Sequence, residues 1–293
     1  MIAQLGIIGV GMIGASIAAA AVRRAGIARV VAYSPGNDAL EAQAAGWVHR
    51  ICADAPSCLN GSDLVVLAAP VGAIVAMMPQ LASRLHELEN AGLPLPHLSD
   101  TGSSKLSIVA SADRALGRFR CRFLPAHPIA GSERSGAQAA NPDLFVNRSV
   151  LVCSDHRVGA PTRKAVSAFW ERLGARVESI DPVAHDALYG EVSHWPHAAA
   201  FALCLGIARG PHAEQSLLRA GAGLRDTTRI AASDARLWSD IILSNRDHAL
   251  RSAQRHLAAL RALVEAIETN NTAGLCELLE EAAVWRRQLR DAA

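Results

Sequence analysis

The chain is almost devoid of lysine: Lys105 and Lys164 are the only two in 293 residues, and arginine supplies the rest of the positive charge. Basic and acidic side chains nearly balance, 29 against 27, for a net charge of +2. So even a balance argues against a nucleic-acid footprint or a membrane-surface protein. Cysteine occurs six times (52, 58, 121, 153, 204 and 276) but never as a CxxC pair or with a Cys/His ligand spacing. In a chain of this length that distribution reads as reduced thiols and points to the cytoplasm. Long hydrophobic runs are missing too. The stretch 13–22 falls short of the ~20 residues that a bilayer-spanning helix needs. Glycines 9, 11 and 14 interrupt the first apolar run and no basic segment precedes it, so no signal peptide is expected.

What is present is apolar, 51% of the residues, enough to fill one large core or two ordinary ones. Up to about residue 180, short apolar runs alternate with longer helical patterns. Strands are expected at 4–8, 30–33, 64–68, 97–99, 122–124, 149–152 and 176–180, with helices at 12–25, 39–45, 71–89, 105–116 and 161–173. Such alternation builds a largely parallel sheet covered on both faces. Beyond Asp181–Pro182 the texture changes to Ala/Leu/Arg/Glu stretches with helical spacing, as in 247–269 and 273–291. The expected division is an α/β domain over residues 1–181 and an all-helical domain over 182–293. Leu257, Leu260, Leu263, Val264 and Ile267 share a face, an apolar stripe that a second copy of the chain or the rest of the domain would cover.

The stretch LGIIGVGMIGAS places Gly9, Gly11 and Gly14 between an expected strand and an expected helix. That is the setting in which G-x-G-x-x-G has physical meaning: a tight turn, close approach of backbone to a pyrophosphate, and tight helix–strand packing. With Met12 and Ile13 opening the helix, its amides and dipole face the phosphates. A Rossmann-type dinucleotide site follows, for NAD or NADP. About twenty residues on, where an acid commonly reads the ribose, stands Ser34. Lacking a carboxylate there, the site admits a 2′-phosphate, although no arginine adjoins it and Asp38 is close enough to reach the ribose. NADP or dual use is the expectation.

The stretch HPIAGSERSG concentrates polar chemistry. His127 follows an apolar run and should stand at the carboxyl end of a strand, where open α/β sheets bind ligands. Its imidazole is suited to accept a proton at neutral pH. Ser103, in DTGSSK, sits at another expected strand-to-helix turn, either in the site or as a helix N-cap, a task Ser104 could also take. Glu133 either gates the pocket or makes a surface ion pair. His194 and His197 lie three apart and should share a helix face. With Asp186 they could ligate zinc, but no further ligand set is evident and no metal is expected. Arg229 is the candidate for a substrate carboxylate, with Asp226 three residues earlier to orient it and Arg225 as a second cation.

Taken together, the glycine loop, DTGSSK, HPIAGSERSG, HDALYGEVSHWPH (185–197) and GLRDTTRIAASDARLW (223–238) resemble the prephenate and arogenate (cyclohexadienyl) dehydrogenases of tyrosine biosynthesis. The resemblance implies oxidation of a ring alcohol by NAD(P) with loss of the ring carboxylate as CO2. It implies His127 as the proton acceptor assisted by Ser103, and substrate contacts from Glu133, Ser193, His197 and Arg229, with His185 in support. It also implies Trp238 reaching in from the other subunit of a homodimer joined through the helical domain. No regulatory domain is expected after the last helices, so any feedback inhibition by tyrosine is expected to act at the active site. No residue stands out as a partner for the ammonium of arogenate. A β-hydroxyacid dehydrogenase or imine reductase of similar architecture would call for a lysine in the helical half, where there is none; a dinucleotide-sensing protein without turnover would not need His127, Ser103, His197 and Arg229 together.

Overall fold

The computed structural model describes residues 2–131 and 136–289. Its first part alternates strand and helix: β1 (Gln4–Ile8), α1 (Met12–Arg23), β2 (Arg29–Tyr33), α2 (Asp38–Ala44), β3 (Arg50–Ile51), β4 (Leu64–Leu67), α3 (Val71–Asn90), β5 (His97–Asp100), α4 (Leu106–Ala115) and β6 (Phe123–Leu124). Then come β7 (Ala126–Pro128), β8 (Ser149–Val152), α5 (Ala160–Arg172) and β9 (Arg176–Ser179). Everything described after β9 is helical: α6 (Pro182–Tyr189), a π-turn over Gly190–His194, α7 (Trp195–Ala208), α8 (Ala213–Arg219), α9 (Ala222–Thr228), α10 (Ala235–Ser244), α11 (Arg246–Glu268) and α12 (Thr272–Arg287).

Six strands form one parallel sheet in the order β3-β2-β1-β4-β5-β6. The order reverses between β1 and β4, which opens the crevice where doubly wound sheets bind ligands. Period-two alternation sorts the strand residues between two cores. Val30, Ala32, Leu64 and Val66 join Ile17, Val166 and Trp170 on one face, while Val31, Val65 and Leu67 join Ile74, Met78 and Leu85 on the other. The α/β architecture followed by a helical domain is thus as expected.

Two strands were not legible, β3 and β7, with two and three residues. The second changes where His127 stands. Pro125 has no N–H to continue the ladder after β6, so the chain leaves the main sheet and pairs antiparallel with β8, His127 opposite Leu151. His127 therefore lies mid-strand in a separate three-stranded sheet, β7-β8-β9, rather than at the end of a parallel strand.

The two halves meet through carboxylates set on helix ends. Lys105 N–H and Leu106 N–H, at the start of α4, donate to the Asp186 carboxylate at 2.7 and 2.9 Å. Gly72 N–H, in the first turn of α3, faces both oxygens of Asp240 at 3.2 and 3.3 Å. Both aspartates belong to the helical half, where the positive ends of the helix dipoles favour negative charge. Neither Ser103 nor Ser104 caps α4; Ser104 Oγ instead lies 2.8 Å from Ser244 Oγ.

Candidate active site

At the carboxyl edge of the sheet a cavity of about 480 Å³ opens between the halves. Four of its walls come from the dinucleotide half: Met12 and Ile13 in the first turn of α1, Ser103 in the turn after β5, and His127 in β7. Facing them are Ser193, His197, Arg229 and Trp238. Eight residues singled out in the sequence, from five separate segments, thus surround one space. Tyr189, Asp234 and Leu237 line it too; they lie within the 185–197 and 223–238 stretches, but nothing in the sequence singled them out there.

A chain of hydrogen bonds runs back from this cavity. His127 Nδ1 lies 2.9 Å from His185 Nε2, and His185 Nδ1 lies 2.8 Å from Asp186 Oδ1. His185 and Asp186 are fully buried. Burial alone would raise the Asp186 pKa, but the His185 hydrogen bond and the amides of Leu106 and Lys105 hold it below the ordinary carboxylate range. An ionised carboxylate only accepts, which fixes every proton along the chain. His185 carries its hydrogen on Nδ1, its Nε2 accepts from His127 Nδ1–H, and Nε2 of His127 is left with the lone pair. Burial, followed by the neighbouring His185, Lys105 and His194, keeps the His127 pKa well below its ordinary value, so the imidazole is neutral and ready to accept a proton. Tyr189 holds both rings, stacked on His185 with centroids 4.6 Å apart and edge-on to His127 at 4.8 Å.

Lys105 anchors the strand beneath. Wholly buried, its Nζ pairs with Asp100 Oδ2 and donates to the Ala126 carbonyl at 2.7 Å, while Asp100 also accepts from Ala126 N and Gly102 N. Ser103 reaches the cavity from the same turn, but among the described residues it makes no hydrogen bond to His127, whose Nδ1 goes to His185.

On the helical side the expected sharing of a face by His194 and His197 fails. His194 lies inside the π-turn and points into the interior, its Nδ1 3.0 Å from Asn245 Nδ2 and its Nε2 facing the Ser103 backbone without a well-formed hydrogen bond. Burial lowers its pKa to about 4. His197 turns into the cavity, Nδ1 2.9 Å from the Ser193 carbonyl and ring stacked on Trp238 with centroids 3.3 Å apart. Trp238 thus lines the cavity of its own chain beside His197. Burial and then the Arg229 charge lower the His197 pKa, with the Ser193 carbonyl opposing them. Asp226 and Arg225 lie exposed on α9, off the cavity wall, with Arg225 Nε on the Ala220 carbonyl. Glu133 falls outside the described residues.

The dinucleotide end is formed by the glycine turn. Gly9 has φ +95° and a Cβ there would lie 2.4 Å from the Ala68 carbonyl; a Cβ on Gly14 would lie 1.9 Å from the Gly9 carbonyl. At Gly11, by contrast, nothing stands within 4 Å of the Cβ position. Two glycines close the turn and the third leaves open space at the start of α1, which suits a pyrophosphate. Ser34 follows β2 at the same edge, and Asp38 opens α2 with Oδ1 3.0 Å from Ala137 N.

Comparison with known proteins gives a consistent result. Residues 18–179 match the nucleotide-binding domain of prephenate dehydrogenase and residues 181–281 its dimerization domain. A cyclohexadienyl dehydrogenase of Zymomonas mobilis is 30% identical over 295 residues, covering 98% of this chain and 96% of that protein. A prephenate dehydrogenase of Bacillus subtilis is 30% identical over 273 residues, covering 90% and 70%. Among solved structures, the prephenate dehydrogenase of Aquifex aeolicus in complex with hydroxyphenyl propionate and NAD+ superposes with TM-score 0.85 at 28% identity, over 98% of both chains.

Proposed function

The chain belongs to the prephenate dehydrogenase family, and on that premise we propose that it oxidises the ring alcohols of prephenate and arogenate with NAD or NADP. A bound dinucleotide supplies the hydride acceptor. The observation that carries the reading is the proton order along Asp186, His185 and His127, which leaves a neutral acceptor nitrogen on a residue lining the cavity. As hydride leaves the ring carbon, His127 takes the hydroxyl proton. Loss of the ring carboxylate as CO2 then returns its electron pair to the new carbonyl oxygen, and His127 gives the proton back to the resulting phenolate. Arg229 and His197 hold the substrate carboxylates, with Ser103 and Ser193 as hydroxyl partners. Leu237 and the stacked Trp238 keep water from the ring.

Asp234 supports the use of both substrates. It is the one carboxylate on the cavity wall among the described residues, and its Oδ1 caps α10 through Leu237 N at 2.8 Å. Oδ2 remains for the ammonium of arogenate. Ser34, in the place of a ribose-reading acid, supports dual cofactor use. The boundary at residues 181/182, a homodimer formed through the helical half and a cytoplasmic location complete the proposal. Exposed Leu257 (47%), Val264 (49%) and Ile267 (61%) on α11 support the dimer, and six unbridged cysteines suit the compartment.

Four assays test it: NADH and NADPH formation from purified protein with prephenate and with arogenate. Reduction with both substrates and both cofactors is expected. Folded protein that binds dinucleotide but reduces none would overturn the reading.

A further inference from the structure

Two thiols in the dinucleotide half meet beneath the cofactor edge of the sheet and take no part in the cavity. Cys52 directly follows β3, and Cys58 lies in the 3-10 turn Pro56–Leu59. Both belong to the core that holds Ile8 of β1 and Val31 of β2, with Tyr33 and Ala69 packed against it. Their side chains are hydrogen-bonded to each other, and Arg50 adjoins Cys52. Cys58 Sγ also stands 3.8 Å from the Ile7 carbonyl. Both thiols are free.

The two are chemically unlike. The hydrogen bond from Cys58 and, against the cost of burial, the Arg50 charge hold the Cys52 thiol below its ordinary range. The same bond, together with burial, pushes Cys58 up. Cys52 is thus the nucleophile of the pair, since the thiolate is the reactive form and a neighbouring guanidinium favours it. It is also the one with a path to solvent, 7% exposed against 0% for Cys58.

Backbone hydrogen bonds tie this pair to the glycine turn. Cys52 N donates to the Ala32 carbonyl at 2.7 Å, and the carbonyl of the next residue, Tyr33, accepts from Gly9 N at 2.8 Å. Gly9 has no slack, because it packs on the Ala68 backbone too closely for a Cβ. A disulfide needs its sulfurs at about 2.05 Å, nearer than any hydrogen-bonded thiols. Closing it would draw Cys52 toward Cys58, and the end of β2 and the glycine turn would have to move with Cys52.

We propose that Cys52 and Cys58 are a redox modification site: a hydroperoxide converts them to a disulfide, and the disulfide weakens dinucleotide binding. The Cys52 thiolate attacks one peroxide oxygen and the O–O bond breaks, giving a sulfenic acid and hydroxide, which takes a proton to become water. Cys58 sulfur then displaces the sulfenic hydroxyl, which leaves with the Cys58 proton as a second water. Two thiols lose two electrons and one peroxide gains them.

The test treats the purified protein with hydrogen peroxide and follows the tryptic peptide 51–84, which contains both cysteines and no internal arginine or lysine. That peptide should lose two hydrogens, and dithiothreitol should restore them. The Kd for NAD+, measured by calorimetry on the oxidised protein, should rise by about fivefold or more, the lower end of ordinary coupling between two sites. By reciprocity, saturating NAD+ should favour the dithiol by the same factor in a glutathione redox buffer. Cys58→Ser should halt the reaction at a dimedone-reactive sulfenic acid on Cys52, and Cys52→Ser should prevent it. Peroxide that leaves peptide 51–84 unchanged overturns the proposal, as does a disulfide there with unaltered NAD+ affinity. Neither result touches the substrate reading, which the turnover assays decide.

Discussion

His127 Nδ1 lies 2.9 Å from His185 Nε2, and this contact decides which nitrogen of His127 can accept a proton. Asp186 sets the direction. In Asp186→Asn the side-chain oxygen can still accept an α4 amide, but the NH2 turned toward His185 reverses the proton order and leaves His127 Nε2 protonated. We expect kcat to fall by about 10²–10⁴-fold, the range for loss of a correctly protonated base, with dinucleotide affinity unchanged in a fluorescence titration. Full turnover by a folded D186N protein would remove Asp186 from the catalytic account.

The acid limb of the pH profile should be displaced. His127 is held well below 6.5 by burial and its cationic or imidazole neighbours, so kcat/KM should stay level as pH falls to 6.5 and decline only below it. Stability follows the same sign. Unfolded histidines take up protons near 6.5, whereas buried His194 resists until about 4. The unfolded state therefore binds more protons in that window, and the histidine contribution, complete above 6.5, drains as pH falls toward 4. Thermal melts across the window would show a falling Tm; a Tm that rises on acidification would contradict the assignment.

Arg229 and Asp234 should affect different quantities. Arg229→Ala removes a carboxylate contact, and KM for either substrate should rise by about 10–100-fold, with a smaller change in kcat. Asp234→Asn keeps an oxygen to cap α10 but removes the charge. It should lower kcat/KM for arogenate more than for prephenate, and an equal loss for both would show that Asp234 does not meet the ammonium.

Lys105 is a structural residue with a direct line to the site. Lys105→Met would leave Asp100 buried and unpaired, a change that costs about 3–5 kcal/mol in comparable pairs. Chemical denaturation should show that loss, and a double change with Asp100→Asn should recover part of it. An unchanged midpoint in the single variant would mean that water enters to solvate Asp100.

The glycine turn and the long strands were legible because each depends on neighbours in the chain: Gly9, Gly11 and Gly14 lie within six residues, and the apolar runs mark β1, β4 and β8 directly. β3 and β7 were not, since two or three residues carry no periodicity. α-Helical spacing predicts one shared face for His194 and His197, but His194 closes the π-turn and points inward, whereas His197 stands on α7 and turns into the cavity. The cavity residues were recognisable as motifs, whereas their connections were not. His127 and His185 are 58 positions apart, Lys105 and Asp186 are 81, and nothing local in the sequence predicts that Asp186 serves both a histidine and a helix end.

Asp186 and Asp240 bear on how such a protein can be altered by recombination. Each is encoded in the helical half yet completes a helix that begins in the other half. A chimaera joined at residue 181 would inherit α3 and α4 from one parent and their counter-charges from the other. Grafting would succeed only between parents that present carboxylates at both places, so the two halves have to be exchanged as a matched set.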